Sequence, residues 1–338
     1  MTEPMTNQKH ASPVMVVVAF ATVYLVWGST YFFIQRAVTY IPPFLIGAMR
    51  FLAAGIIMLT WCAIRGEKIF NLQQIKPAAI SGLLLLLIGN GTVIWAEQTL
   101  PSSLVAVLVS SAPIWFVLLD KPKWKENFTS KSTLTGLFIG FAGVILLFSE
   151  QTGKALSAGG GIMQIVGLAA IVLSSMSWAG GSLYSKYNGQ GSASINTGWQ
   201  MLSAGIAFVP ISLLNGEWQS FQWQTVPTSA WLSVLYLISM GSLAGYSAYV
   251  WLLQVRPATQ VSTYAYVNPV VAVLLGVFFA NEHMTGTQIL GLAIILTSVL
   301  LINLAKYRKE KQAAVTDEKI GVTRKIIVVN TPAVKCDD

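Results

Sequence analysis

Two polar side chains interrupt long apolar stretches of the chain, Arg50 and Asn90, and they define the chemistry open to it. A guanidinium in apolar surroundings is costly unless it faces a cavity, a partner or water. Its planar fork suits a carboxylate, held by two parallel hydrogen bonds, so Arg50 is a candidate substrate contact. The structural alternatives are a tether to neighbouring carbonyls or a side chain that snorkels to a helix end. About seven residues separate Arg50 from Pro43, roughly 10 Å at the helical rise, which weakens snorkelling. Asn90 lies between Gly89 and Gly91, which permit close packing or local unwinding. Its amide either meets substrate or bonds across helices.

Aromatic and proline residues extend the set. Trp27, Tyr31, Trp178, Tyr246 and Tyr264 are candidates to line an amphipathic cavity for a ring-bearing or apolar substrate. The competing role is the interfacial aromatic belt, which fits Trp95 and Trp251 well. Pro113 and Pro269 fall inside apolar runs at matched positions and read as hinges, because each removes a backbone donor and frees a carbonyl. Asn268 directly precedes Pro269 and is a candidate both for substrate contact and for satisfying part of that freed backbone. Glu97 is the only carboxylate placed to reach a central cavity. Asp120, Glu150, Glu217 and Glu282 fall in loops or at the ends of runs, Glu282 as a helix cap. No run carries a central Asp, Glu or His, which argues against a central carboxylate proton switch.

Other chemistries find no residues. His10 and His283 are the only histidines and both lie outside the apolar runs, so a His-based metalloprotease site is excluded, and no Walker motif is present. Cys62 and Cys336 make neither a disulfide framework nor a metal motif. No cofactor is expected.

These residues must be positioned by membrane helices. The 338 residues are 54% hydrophobic and 10% charged, with mean hydropathy +0.63. A soluble domain carries about 25% charged residues. The net charge of +8 does not indicate nucleic-acid binding, because the basic residues sit in short loops between apolar runs. The run from Val14 continues through Trp27 and Tyr31 without an A-x-A-like site, and so reads as a first span, not a signal peptide. Ten runs of about 20 residues, the length that crosses a bilayer core, are expected at 14–35, 44–64, 78–98, 102–119, 133–149, 162–185, 197–214, 230–252, 259–280 and 287–304. With the N-terminus (1–13) in the cytoplasm, 18 Lys and Arg fall inside and two, Arg36 and Lys154, outside. Both termini are therefore expected to be cytoplasmic, including the basic tail, 305–338, expected to be flexible.

The chain also repeats itself. Trp95, Gln98 and Pro101 match Trp251, Gln254 and Pro257 at a shift of 156, which also carries Gly89 to Gly245 and Pro113 to Pro269. Trp27 matches Trp178 and Gly140 matches Gly291 at 151, and the Arg50–Gly55 block matches Gln200–Gly205 at 150. Residues 14–149 and 162–304 thus form two five-span halves. An odd span number inverts the second half, giving an all-α membrane protein of ten transmembrane helices in two inverted-topology five-helix repeats. Such repeats are characteristic of secondary transporters.

Trp27-Gly28-Ser29-Thr30-Tyr31, Pro42-Pro43, Arg50-Phe51, Gly89-Asn90-Gly91 and Tyr266-Val267-Asn268-Pro269-Val270-Val271 give the chain its family likeness. Over about residues 14–304 it resembles the EamA family of the drug/metabolite transporter superfamily, nearest a drug/metabolite exporter subgroup of the bacterial inner membrane. Asn281-Glu282 stands where the family often has Gly-Glu, and the basic tail is a further departure. The resemblance implies ten spans and alternating access without ATP hydrolysis, but no particular solute. The expected function is export of small organic metabolites, such as amino acids or aromatic and amphipathic compounds. The alternatives are an importer or facilitator of the same fold and a non-transporting scaffold, while enzymatic activity is not expected. The expected partners are a small-molecule substrate and the lipid bilayer, and a homodimer is compatible with the fold.

Overall fold

In lipid every backbone polar group must be bonded within the protein, which leaves an uninterrupted apolar run little choice but a helix. The computed structural model describes residues 12–98, 100, 102–149, 153, 157, 161–280 and 285–304, and among them there are helices and no strand. The expectations for residues 1–11, Lys154, Asn281-Glu282 and the tail 305–338 lie outside the described residues.

The main helices are α1 (Pro13–Val38), α2 (Pro43–Ile64), α3 (Leu72–Ala96), α4 (Ser102–Val109), α5 (Ala112–Leu119), α6 (Lys131–Leu147), α7 (Gly161–Asn188), α8 (Ala193–Leu214), α9 (Thr228–Val255), α10 (Tyr264–Ala280) and α11 (Gly286–Leu304). Among the described residues seven are long and apolar enough to cross a membrane: α1, α2, α3, α7, α8, α9 and α11. An eighth is reached if Lys121–Thr129 and α6, bent by 90°, count as one span. The three expected spans that fall short have local causes. Pro113 has no N–H with which to continue a helix, and the 102–119 run breaks at Ser110–Ser111 into α4 and α5. The 133–149 run gives a helix of 17 residues behind its bend. The 259–280 run opens with a short turn, Ala258–Val261, before the 17 residues of α10.

Helix ends follow the sequence closely. Pro13 and Pro43 open α1 and α2, where a missing N–H costs nothing. Ser192 caps α8, its Oγ accepting from Ile195 N at 3.3 Å. Gly66 (φ 77°) and Gly216 (φ 68°) follow α2 and α8 in the left-handed conformation that glycine adopts without strain. They stand 150 residues apart, the shift that relates Arg50 to Gln200.

The α2–α8 pair organises the bundle. The two helices run antiparallel, since Gly47, Gly55 and Leu59 meet Phe208, Leu202 and Gly198 in reverse order. A Cβ at Gly55 would lie 2.6 Å from Leu202 N, and one at Gly205 would lie 2.5 Å from Leu52 N. Small residues let membrane helices approach backbone to backbone, and here two glycines do so reciprocally. Each helix start also meets a glutamate that follows the other helix. Glu217 accepts from Phe44 N at 3.3 Å and Leu45 N at 2.8 Å, while Glu67 accepts from Ser192 Oγ at 2.8 Å.

Candidate functional site

A cavity opens among α1, α2, α3, α7, α9 and α10, with Val109 and Ala112 adding the α4–α5 break. Trp27, Tyr31, Arg50, Asn90, Trp178, Tyr246, Tyr264 and Asn268 all belong to its wall. The structure thus brings together every residue named from the sequence as a candidate substrate contact.

Arg50 is 4% exposed and reaches the cavity from the second turn of α2. Its Nε donates to Ser242 Oγ at 2.8 Å and its Nη1 to Asn90 Oδ1 at 3.4 Å, with the guanidinium 4.9 Å from the centroid of Phe51. Each of these partners is neutral, and no carboxylate of a described residue lies within salt-bridge distance of Arg50. A guanidinium carries five N–H donors, so some remain for an incoming anion. Asn90 is both wall and tether.

The aromatic wall is continuous. The Trp27 ring lies 4.9 Å from Tyr249, 5.0 Å from Tyr264 and 5.5 Å from Trp178 between centroids. These spacings favour edge-to-face and tilted packing. Hydrogen bonds fix the rings from behind. Trp178 Nε1 donates to Tyr249 Oη at 3.1 Å, and Tyr246 Oη donates to Gln200 Oε1 at 2.7 Å. Gln200 in turn donates to Ser185 Oγ at 2.8 Å.

Two wall helices widen beside the cavity. Leu83–Asn90 in α3 and Leu237–Tyr246 in α9 are π-helical, a form that leaves some carbonyls poorly bonded and occurs often at functional sites. Side chains from neighbouring helices take up those carbonyls. Ser174 and Ser177 Oγ donate to Gly89 O and Leu84 O at 2.7 and 2.8 Å, and Trp27 Nε1 donates to Gly241 O at 3.1 Å. The glycines at the matched ends serve the same tryptophans. A Cβ at Gly245 would lie 2.7 Å from Trp27 Nε1, and one at Gly89 would lie 3.0 Å from Trp178 Cε3.

The prolines sit close to the wall. Pro113 opens α5 beside Ala112, and Pro269 lies inside α10 beside Asn268. The carbonyl that Pro269 leaves free is satisfied by Ser110 Oγ, not by Asn268 as expected. Asn268 is 3% exposed and its Oδ1 has no hydrogen-bond partner among the described residues, although it lines the cavity. Ser242, Ser174 and Ser110 escaped notice in the sequence, since serine is common in membrane helices. Glu97 is buried beyond Val93 and outside the cavity wall. Glu217, just past the end of α8, caps the start of α2.

At the end of α7 remote from Ser174, Lys186 Nζ donates to the carbonyls of Leu253 and, at 2.7 Å, Arg256. Asp120, just past α5, accepts from Tyr187 Oη at 2.6 Å. Burial pushes the Asp120 carboxyl up from its ordinary value, while Tyr187 and the Lys186 ammonium oppose that shift. These bonds tie the end of α7 to the end of α9 and to the segment that follows α5.

The model of the "EamA-like transporter family" matches residues 14–149 and 165–304. The chain is 38% identical over 294 residues to the "Uncharacterized inner membrane transporter YedA" of Escherichia coli strain K12, covering 86% of this chain and 90% of the relative. It is 28% identical to the "Uncharacterized transporter YvbV" of Bacillus subtilis, covering 86% and 92%, and 26% identical to "Protein PecM" of Dickeya dadantii, covering 82% and 88%. One crystal structure shares the fold with a TM-score of 0.69 at 17% identity, over 88% of this chain and 100% of that one.

Proposed function

The chain belongs to the EamA-like transporter family, and from that premise we propose that it exports small anionic or zwitterionic solutes with an aromatic or otherwise apolar body. Transport is by alternating access, without ATP. Arg50 carries this assignment: a cation 4% exposed, held only by neutral partners, on an aromatic cavity wall. An arginine at the middle of a membrane helix costs about 3 kcal/mol. A solute carboxylate would supply the missing counter-charge through the guanidinium fork. The solute's apolar body would lie against Trp27, Trp178 and Tyr264, and Asn268 Oδ1 would accept from its N–H or ammonium group.

Reciprocal contacts support two inverted halves. Gly55 meets Leu202 as Gly205 meets Leu52, Trp27 meets Gly245 as Trp178 meets Gly89, and Glu67 and Glu217 sit at the starts of α8 and α2. We read these as the trace of a pseudo-two-fold axis in the membrane plane. The shorter α4–α5 pair, α6 and α10 would then complete ten spans. The name of the Escherichia coli relative supports an inner-membrane location, and the charge bias supports two cytoplasmic termini.

Purified protein in liposomes tests the proposal with a panel of amino acids and aromatic metabolites. Faster passage of anionic or zwitterionic aromatic solutes than in empty vesicles is expected; no acceleration of any solute overturns it. Export predicts that cells lacking the protein retain the solute and cells overproducing it are depleted. The reverse pattern assigns import.

A further inference from the structure

Glu97 directly follows α3, and its side chain is 6% exposed. Both carboxylate oxygens are buried without a hydrogen-bond partner among the described residues. Val93, one turn earlier, lines the cavity, and Tyr31, also on the wall, lies within electrostatic range of the carboxyl. Val93, Ala96, Leu100 and Ile171 form one buried apolar cluster on which Tyr31 packs.

Among the described residues no cation compensates this group. The helices against the end of α3 are α1, α2, α7 and, through Val105, α4, which has no ionisable residue. From α1 come Tyr31 and, at its exposed end, Arg36; from α2 comes Arg50, already bonded to Ser242 and Asn90. The ionisable groups of α7, Tyr184, Lys186 and Tyr187, all lie in its last two turns. A carboxylate removed from water needs donors or a counter-charge. A position just past a helix C-terminus faces the negative end of the dipole and adds to the cost. This packing favours the neutral acid, whereas contact with water favours the ion.

We propose that Glu97 is a proton-carrying site that couples solute passage through the cavity to proton movement. While packed beside Tyr31 the carboxyl keeps its proton. When the Tyr31–Val93 side of the cavity opens, the proton passes from the carboxyl oxygen to water, leaving a carboxylate, and it returns by the reverse step. The coupling rests on the transporter assignment above; the protonation of Glu97 does not.

Two measurements on the full-length protein keep these apart. Infrared difference spectra of wild type against Glu97→Gln at neutral pH should contain a protonated-carboxyl C=O band that the substitution removes. A carboxylate signal in its place overturns the proposal. Should Glu97→Gln fail to fold, Glu97→Asp keeps the acid, and its band must shift; an unmoved band overturns the proposal. Proteoliposomes are then given radiolabelled L-phenylalanine and an imposed pH gradient. Wild type should accumulate label several-fold above equilibrium, while Glu97→Gln exchanges internal for external label without accumulating it. Equal accumulation by both, or exchange without accumulation by wild type, overturns the coupling. If wild type moves no phenylalanine, the solute class has failed, and the infrared band alone decides whether Glu97 holds a proton.

Discussion

Ser110 Oγ donates to the carbonyl of Ala265 at 2.8 Å, and Ala265 is the residue that position 269 would serve in an unbroken helix. Pro269 has no N–H to offer. Ser110 comes from the break that precedes Pro113, so the two proline-bearing segments meet at this bond. Ser110→Ala should cost about 1–3 kcal/mol by leaving a buried carbonyl unpaired. Restoring an N–H with Pro269→Ala should recover much of that loss in the double variant. Unfolding in detergent across the four members of this cycle gives the coupling; strictly additive losses would mean the serine does not stand in for the proline.

Arg50→Gln keeps a polar group near Ser242 but removes the charge. Affinity for phenylalanine should fall by roughly ten- to a hundred-fold, the size of a lost charge-assisted hydrogen bond at about 1.5–3 kcal/mol. Phenethylamine, which lacks the carboxylate, should lose little. Quenching of tryptophan fluorescence reads both, since Trp27 and Trp178 line the cavity. Equal losses for the two compounds would assign Arg50 a structural role alone.

Glycine substitutions separate space from backbone conformation. At Gly55 and Gly205 an added Cβ meets Leu202 N at 2.6 Å and Leu52 N at 2.5 Å, atoms that cannot turn aside. Gly55→Ala and Gly205→Ala should each cost about 1–3 kcal/mol or more through overpacking. Gly66 has φ 77° and nothing within 4 Å of its Cβ site, so Gly66→Ala bears only the left-handed strain of about 1–2 kcal/mol. Melting temperatures should rank the variants in that order. A Gly66 variant less stable than the other two would place the critical constraint outside the α2–α8 contact.

Glu217 stands in for the side-chain cap that Pro42 cannot provide. Its carboxylate also accepts from Ser212 Oγ at 2.6 Å, tying the start of α2 to the end of α8. Glu217→Ala should cost about 1–2 kcal/mol, the range of a lost N-cap. Glu67→Ala removes a more exposed contact with Ser192 and should cost less. Chemical denaturation of both variants tests the order.

The cavity wall was legible because arginine, asparagine, tryptophan and proline are costly or conspicuous in apolar helices, so Arg50, Asn90, Trp27 and Trp178 mark themselves. What supports them was not. Ser242, Ser174 and Ser110 act through hydrogen bonds whose other ends lie on distant helices, and hydropathy carries no trace of such pairing. Asn268 lies next to Pro269 in sequence, which made it the natural partner for the freed carbonyl, yet helical geometry places that carbonyl four residues back, within reach of Ser110. Span counting met a related limit. A window of apolar residues across 102–119 does not register that Pro113 ends one helix and begins another. Gly89 and Gly91 allowed local unwinding beside Asn90, but only backbone geometry reveals the π segments in α3 and α9.

Those π segments hold slack. A π turn is an α-helix containing one residue more than its ends require. Passing that surplus one position along α3 or α9 would turn each crossed side chain by about 100° while both helix ends stay anchored. Asn90 and Tyr246 lie at the edge of such a movement. Removing one residue from Leu83–Leu87 would use up the slack, leaving a plain α-helix of unchanged span whose cavity face is locked in a single setting.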